Sequence, residues 1–412
     1  MHILHVVQGY TPAIGGTERL IQQVSENLVA RHQDQVTVYT TTAYNCELFW
    51  RDDQPELPAG TEIINGVTVR RFPVFNKLNT LRFWLAGSAY KLRLPFNDRL
   101  RALHNGPLIP RMPQIIADAG ADVIVASSFP LLHMHYALRG GRRADTPVVL
   151  CGGIHTADDY GFNRPMIYKA IRQANAYIAY TPFEKNYLVQ ERAIPPELVS
   201  VTGVGVDVEP FAGGDGQDLR RRLGWGNAPV VAYIGQQVPH KGVDMLMQAM
   251  EQIWQEVPDA CVIIAGSETT YSAFIKSWAD GLPAALRARV ALINNFAEEE
   301  KPDIYAASDI VVYPSGHESF GIVFLEAWAA RKPVVGARIG AIPTVVADGK
   351  DGLLTEYRQT ADFTRAIRAL ISNPDLRQQM GNAGYQKVCQ QYTWDIVTDK
   401  FRAVYIKAKE GL

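Results

Sequence analysis

The chain predicts an α/β protein made of two parallel-sheet halves, and three observations carry that expectation. Short apolar runs closed by glycine alternate with helical patterns from the first residues onward, as in strand–helix–strand units. The alternation restarts at residues 230–234, again followed by a glycine-bearing loop and a helix. Between the halves stands Gly213-Gly214-Asp215-Gly216, which has the composition of a linker. The expected domains are residues 1–208 and 209–393, followed by a closing helix from about 394 to 412.

Composition fits that picture and excludes other classes. The 412 residues give ample material for two cores, and 47% apolar with 20% charged content is ordinary for a soluble globular chain. A net charge of −1 argues against a nucleic-acid partner. The four cysteines (46, 151, 261 and 389) lie far apart without C-x-x-C spacing, which suits a reducing compartment and leaves no cysteine-built zinc site. The start, MHILHVVQGY, lacks a basic leader and reads as a strand, and no apolar run reaches the ~18 residues of a membrane span. A cytoplasmic protein is expected.

In the first half, residues 3–7 form a strand closed by Gly9. Gly15-Gly16-Thr17-Glu18 then opens a helix carrying Leu20, Val24 and Leu28. Gly15 and Gly16 let a phosphate or sugar approach the backbone, or make a tight loop without a ligand. The loop is not G-x-G-x-x-G, so the dinucleotide fingerprint is absent. Residues 36–42 and 66–72 read as strands, the second after a polar, proline-bearing loop.

Residues 77–111 then carry seven basic side chains against Asp98 alone, a charge of +6, interleaved with leucines and aromatics. Such a stretch lies on an anionic membrane surface, here the inner face of the cell membrane, or forms core helices with solvated basic sides. Strands are expected at 122–127 and 147–150, and the latter runs into Cys151-Gly152-Gly153-Ile154-His155. His155, at the carboxyl end of a strand, either donates to a sugar hydroxyl or phosphate or is a loop histidine without a role. Strands at 176–180 and 199–201, with a helix start at Thr181-Pro182-Phe183-Glu184 between them, complete the half.

In the second half, strand 230–234 leads into Gly235, Gln236 and Lys241 before a helix carrying Val243, Leu246, Met250, Ile253 and Trp254. Lys241 is placed to meet a phosphate, or is a lone surface lysine. Strands 261–265, 290–292, 310–313 and 333–335 follow, with helices at 272–278 and 301–307. Residues 316–332, GHESFGIVFLEAWAARK, then predict a loop feeding a helix that is apolar on every side except Glu326. No cation occupies i±3 or i±4, so the carboxylate needs a partner from outside the helix, unless it touches solvent. Glu318, Ser319, Phe320 and Gly321 stand at the helix N-terminus, where free amides favour an anion.

Taken in order, these motifs resemble the family-4 retaining glycosyltransferases of GT-B fold. Glu318 and Glu326, with seven residues between them, match that family's Glu-x7-Glu signature. Gly15-Gly16 resembles its N-terminal glycine loop, His155 its N-terminal-domain histidine, and 230–244 its phosphate-binding loop. Segments 306–315 and 332–335 and the helix led by Tyr392-Thr393-Trp394 also fit, so the likeness runs over nearly the whole chain.

The resemblance implies two Rossmann-like domains facing a central cleft, with the last helix packing back on the N-terminal, acceptor-side domain. It implies a nucleoside diphosphate sugar as co-substrate, no other cofactor and no metal. Donor contacts fall to Glu326 for the ribose and to Ser319, Phe320, Gly321, Gly235, Gln236 and Lys241 for the diphosphate. Glu318 faces the sugar, His155 reaches it from the other domain, and Gly15 and Gly16 lie near acceptor and leaving phosphate.

Where Gln236 stands the family usually has arginine, so a charge beside Lys241 is missing. The expected activity is transfer of a hexose to a saccharide or lipid-linked acceptor. The alternatives are a non-catalytic nucleotide-sugar-binding subunit of an assembly complex, or a GT-B epimerase.

Overall fold

The computed structural model describes residues 1–13, 15–156 and 158–411. Ala157, in the loop expected to carry His155, and Leu412, at the expected end of the last helix, lie outside the described residues. The chain forms two compact units, Met1–Gly203 with Trp394–Leu412, and Val204–Thr393.

The first unit holds eight strands: β1 (His2–Val6), β2 (Gln35–Thr41), β3 (Gly60–Ile64), β4 (Val67–Phe72), β5 (Val123–Ser127), β6 (Val148–Cys151), β7 (Ala176–Ala179) and β8 (Val199–Val201). They lie in the order β3-β4-β2-β1-β5-β6-β7-β8. Every pairing is parallel except β3 with β4. The central strands are apolar runs buried on both faces, as helices on both sides of a parallel sheet require. Leu4 sits between Thr37 and Ile124, at the point where the strand order turns.

The expected polar loop before residue 66 contains β3, an exposed edge strand. Ile64 pairs with Val67 across Asn65 and Gly66, both at positive φ (46° and 82°). Asn-Gly is the dipeptide that such a two-residue hairpin demands, so the signal was present in the sequence.

Helix α1 (Gly16–His32) covers this sheet together with the C-terminal helix Trp394–Glu410, which belongs to the first unit. Phe401 and Tyr405 are fully buried there, each worth about 1.5–3 kcal/mol of apolar burial. Polar clamps fix the helix in place. His5 Nε2 meets Tyr405 Oη at 3.2 Å, Arg402 pairs with Asp34 at 2.8 Å, and Arg31 pairs with Asp399 at 3.0 Å. The basic segment forms α2 (Asn79–Lys91) and α3 (Asn97–Asn105). Helix α2 is not a core helix with a solvated basic side, because it buries only Ala86 and Ala89, whereas α3 buries Arg101 and Ala102.

The second unit holds β9 (Val230–Ile234), β10 (Cys261–Gly266), β11 (Val290–Asn294), β12 (Ile310–Tyr313), β13 (Val334–Ala337) and β14 (Gly352–Thr355). They lie parallel in the order β11-β10-β9-β12-β13-β14, the doubly wound arrangement. Strand β14 was not among the expected strands. The glycine run 213–216 is no free linker. A Cβ on Gly214 would overlap the Pro302 carbonyl and one on Gly216 the backbone of Ala306, so these glycines let two segments of the second unit pack closely.

Candidate functional site

In the second sheet the strand order reverses between β9 and β12. Open α/β sheets bind ligands outside the carboxyl ends of the strands at such a point. Gly235, Gln236 and Lys241 lie on the loop after β9, and Glu318, Ser319, Phe320 and Gly321 on the loop after β12. The two loops are tied together, since the Gly316 amide donates to the His240 carbonyl at 2.9 Å. Gly242, at φ 75°, closes the first loop where a Cβ would overlap the Pro314 carbonyl. Gly321, at φ 90°, caps the helix Ile322–Ala329 and turns the second loop into it.

The structure brings Lys241 and Glu318 together, with Nζ 2.5 Å from Oε1 and both side chains largely buried. Lys241 Nζ also stands 5.3 Å above the Tyr313 ring, which stacks on Tyr233 at 5.5 Å. Burial, reinforced by the Glu318 charge, holds the Tyr313 and Tyr233 phenols well above their ordinary pKa, so both stay protonated. Tyr233 Oη donates to the Gln236 carbonyl at 2.7 Å. The Gln236 side chain is exposed, whereas its neighbour Gln237 is buried and donates from Nε2 to Asn294 Oδ1 at 2.8 Å, pinning the loop to the end of β11. Nothing in the sequence separated the two glutamines.

The helix Ile322–Ala329 is buried, and Glu326 within it is only 7% exposed. Its partners come from another helix, Lys301–Ala307. Lys301 Nζ donates to Oε1 at 2.9 Å and Tyr305 Oη to Oε2 at 2.7 Å. The expectation of a partner outside the helix is met, although the sequence could not say which. Burial and the Glu326 charge raise the Tyr305 pKa well above its ordinary value, so the phenol remains a donor.

His155 and the glycine pair belong to the first unit. Gly15 caps α1 in an extended conformation, and a Cβ there would collide with the Glu18 carboxylate, which accepts from Gln8 Nε2 at 2.9 Å. Burial raises the Glu18 pKa. A Cβ on Gly16 would meet nothing within 4 Å, so that backbone faces open space. His155 is exposed, with its ring packed edge-on against Phe162 at 5.1 Å.

The loop carrying His155 is held by Glu184, which the sequence presented only as part of a helix start. Glu184 is 3% exposed. Its Oε1 accepts from the Gly153 and Ile154 amides, both at 3.1 Å, and from Tyr177 Oη at 2.6 Å, and its Oε2 accepts from the Tyr180 amide at 2.9 Å. Burial raises its pKa against those bonds. Among the described residues, no group of three or more His, Cys, Asp or Glu could hold a metal.

Two α/β units with sheets of eight and six strands define the class, a GT-B fold. HepE of Anabaena, solved with UDP and glucose, superposes with a TM-score of 0.71 at 20% identity, covering 98% of each chain. Residues 14–210 match the family described as Glycosyltransferase Family 4, and residues 215–387 that described as Glycosyl transferases group 1. The chain is a member of the family-4 glycosyltransferases.

Among curated relatives, the D-inositol 3-phosphate glycosyltransferase of Corynebacterium diphtheriae is 31% identical over 242 residues, 57% of this chain and 56% of that one. This chain thus spans a little over half the length of that relative. The protein of the same name from Kribbella flavida is 29% identical over 393 residues, 89% of this chain and 87% of that one.

Proposed function

We propose that this chain transfers a hexose from a nucleoside diphosphate sugar to a saccharide or lipid-linked acceptor, with retention at the anomeric carbon. The observation that carries this reading is the convergence of Lys241, Glu318 and the N-terminus of the helix Ile322–Ala329 on two loops at the crossover of the second sheet. Lys241 and the amides of Ser319–Gly321 receive the diphosphate. Glu326, oriented by Lys301 and Tyr305, accepts from the ribose hydroxyls through its remaining lone pairs.

When the diphosphate takes over Lys241, Glu318 is released to the donor sugar's hydroxyls. The bond from the anomeric carbon to the phosphate oxygen breaks, the acceptor oxygen bonds to the same face, and its proton passes to a donor phosphate oxygen. In this reading Lys241 and the amides stabilise the leaving diphosphate, and turnover persists in EDTA. His155 and the Gly15-Gly16 backbone, on the first unit, serve the acceptor. Because two relatives bear the name D-inositol 3-phosphate glycosyltransferase, inositol phosphates join saccharides in the acceptor screen.

A thermal-shift screen of UDP-glucose, UDP-N-acetylglucosamine, UDP-galactose and GDP-mannose tests the reading. At a hundredfold excess over Kd a bound donor stabilises the protein by about 2.7 kcal/mol, a shift of several degrees. No shift with any donor overturns it. The exposed, uncharged Gln236 favours one second reading, a subunit that binds donor without turning it over. Donor binding without transfer to any acceptor, unchanged in Gln236→Arg, would support that role, and a new sugar from donor alone would indicate an epimerase.

A further inference from the structure

The first unit carries an apolar face that its own core does not use. Helix α2 turns Ala86 and Ala89 inward, while Leu78, Leu81, Trp84 and Leu92 are each more than half exposed. Leu81 and Trp84, three residues apart, share a side of the helix, and Leu78 and Leu92 flank it at its two caps. Single exposed leucines need no explanation, but four large apolar side chains exposed on one helix and its two caps do.

Within residues 77–111 the charges are nearly all of one sign. Two of the seven basic residues serve the fold. Arg82 donates to the carbonyls of Phe49 and Leu103, and buried Arg101 pairs with Asp98 at 2.5 Å and donates to the Tyr160 carbonyl. Lys77, Lys91, Arg93, Arg99 and Arg111 are exposed, and the segment's sole acid, Asp98, is engaged by Arg101. The segment therefore presents apolar bulk and five exposed cations. Among the described residues, no helix is long and apolar enough to cross a membrane.

We propose that α2 and the start of α3 dock this protein onto an anionic lipid bilayer. Leu81, Trp84 and Leu92 enter the boundary between headgroups and acyl chains, and Lys91 and Arg99 meet lipid phosphates. A second copy of the chain is the poorer occupant, since a self-complementary interface sets the same cations against one another. The proposal stands apart from the glycosyl-transfer reading, because partition onto lipid is measured with no donor or acceptor present.

Flotation of the full chain with vesicles of phosphatidylcholine alone, and with roughly one third phosphatidylglycerol, tests it. The expected result is binding to anionic vesicles at low salt, at least ~10-fold weaker to neutral ones, and weakened again at 0.5 M salt (roughly) by screening. Leu81→Ser with Trp84→Ser lowers partition by at least ~10-fold with the melting temperature unchanged, because both side chains are exposed. Should that variant unfold, Lys91→Glu with Arg99→Glu carries the test and loses the preference for anionic vesicles. Equal partition onto neutral and anionic vesicles, or unchanged partition in both variants, overturns the proposal. So does a dimer in sedimentation velocity that the Leu81/Trp84 variant dissolves, which would identify a second copy as the occupant.

Discussion

Lys241 Nζ stands 2.5 Å from Glu318 Oε1, although the two side chains belong to loops that leave different strands of the second sheet. Each neutralises the other, so an incoming diphosphate has to compete with Glu318 for the lysine. The pair therefore predicts opposite effects of removing its members. Lys241→Met weakens binding of a nucleoside diphosphate at least ~10-fold by removing a charge-assisted contact. Glu318→Gln leaves that binding intact or tighter while transfer falls by roughly 100-fold or more. Calorimetry beside a turnover assay separates the two effects, and loss of nucleotide binding in Glu318→Gln would show that competition is absent.

A second prediction concerns Glu326 and its two donors. Lys301→Met leaves a largely buried carboxylate without its cation and costs about 3 kcal/mol. Tyr305→Phe removes one hydrogen bond to a charged acceptor and costs about 1.5–3 kcal/mol. Urea denaturation measures both. A Tyr305→Phe protein as stable as the parent would mean that the carboxylate draws no support from the phenol.

The alternation of strand and helix was legible because parallel strands buried on both faces are continuous apolar runs, as residues 230–234 and 310–313 are. What escaped was either exposed or distant. Strand β3 shows its side chains to solvent, so its apolar content did not mark it. The glycine run at 213–216 read as a linker because composition cannot distinguish a glycine chosen for freedom from one chosen for close packing. Glu326 announced itself as an anomaly in an apolar helix, but Lys301 and Tyr305, more than twenty residues upstream, carried no mark. Glu184 stayed hidden because a carboxylate in the first turn of a helix is what capping alone would place there.

That carboxylate yields the third prediction. Glu184→Ala orphans the amides of Gly153, Ile154 and Tyr180 and the Tyr177 phenol, costing about 3–5 kcal/mol. Hydrogen exchange at Gly153 and Ile154 then quickens by more than that at β7. Unchanged protection of the two amides would remove Glu184 from any part in holding the loop of His155.

The first unit should weaken in mild acid. His5 is fully buried between Ser25 and Tyr405, and burial lowers its pKa to about 3. Between pH 6.5 and 3 the unfolded chain binds a proton at His5 that the folded chain does not, so stability falls as pH drops through that window and is complete above it. At pH 5 this one residue costs about 2 kcal/mol relative to pH 7. Urea titrations at the two pH values should show the loss, and His5→Gln should make it smaller. An identical loss in the variant would place the acid sensitivity elsewhere.

The central claim is that the crossover of the second sheet holds a nucleoside diphosphate sugar, and titration calorimetry with UDP and GDP tests it most directly. The account predicts one-to-one binding of at least one of them and, in a folded Glu326→Ala protein, affinity weakened at least ~10-fold through the lost ribose contact. Absence of heat with both nucleotides, or undiminished affinity in Glu326→Ala, would contradict it.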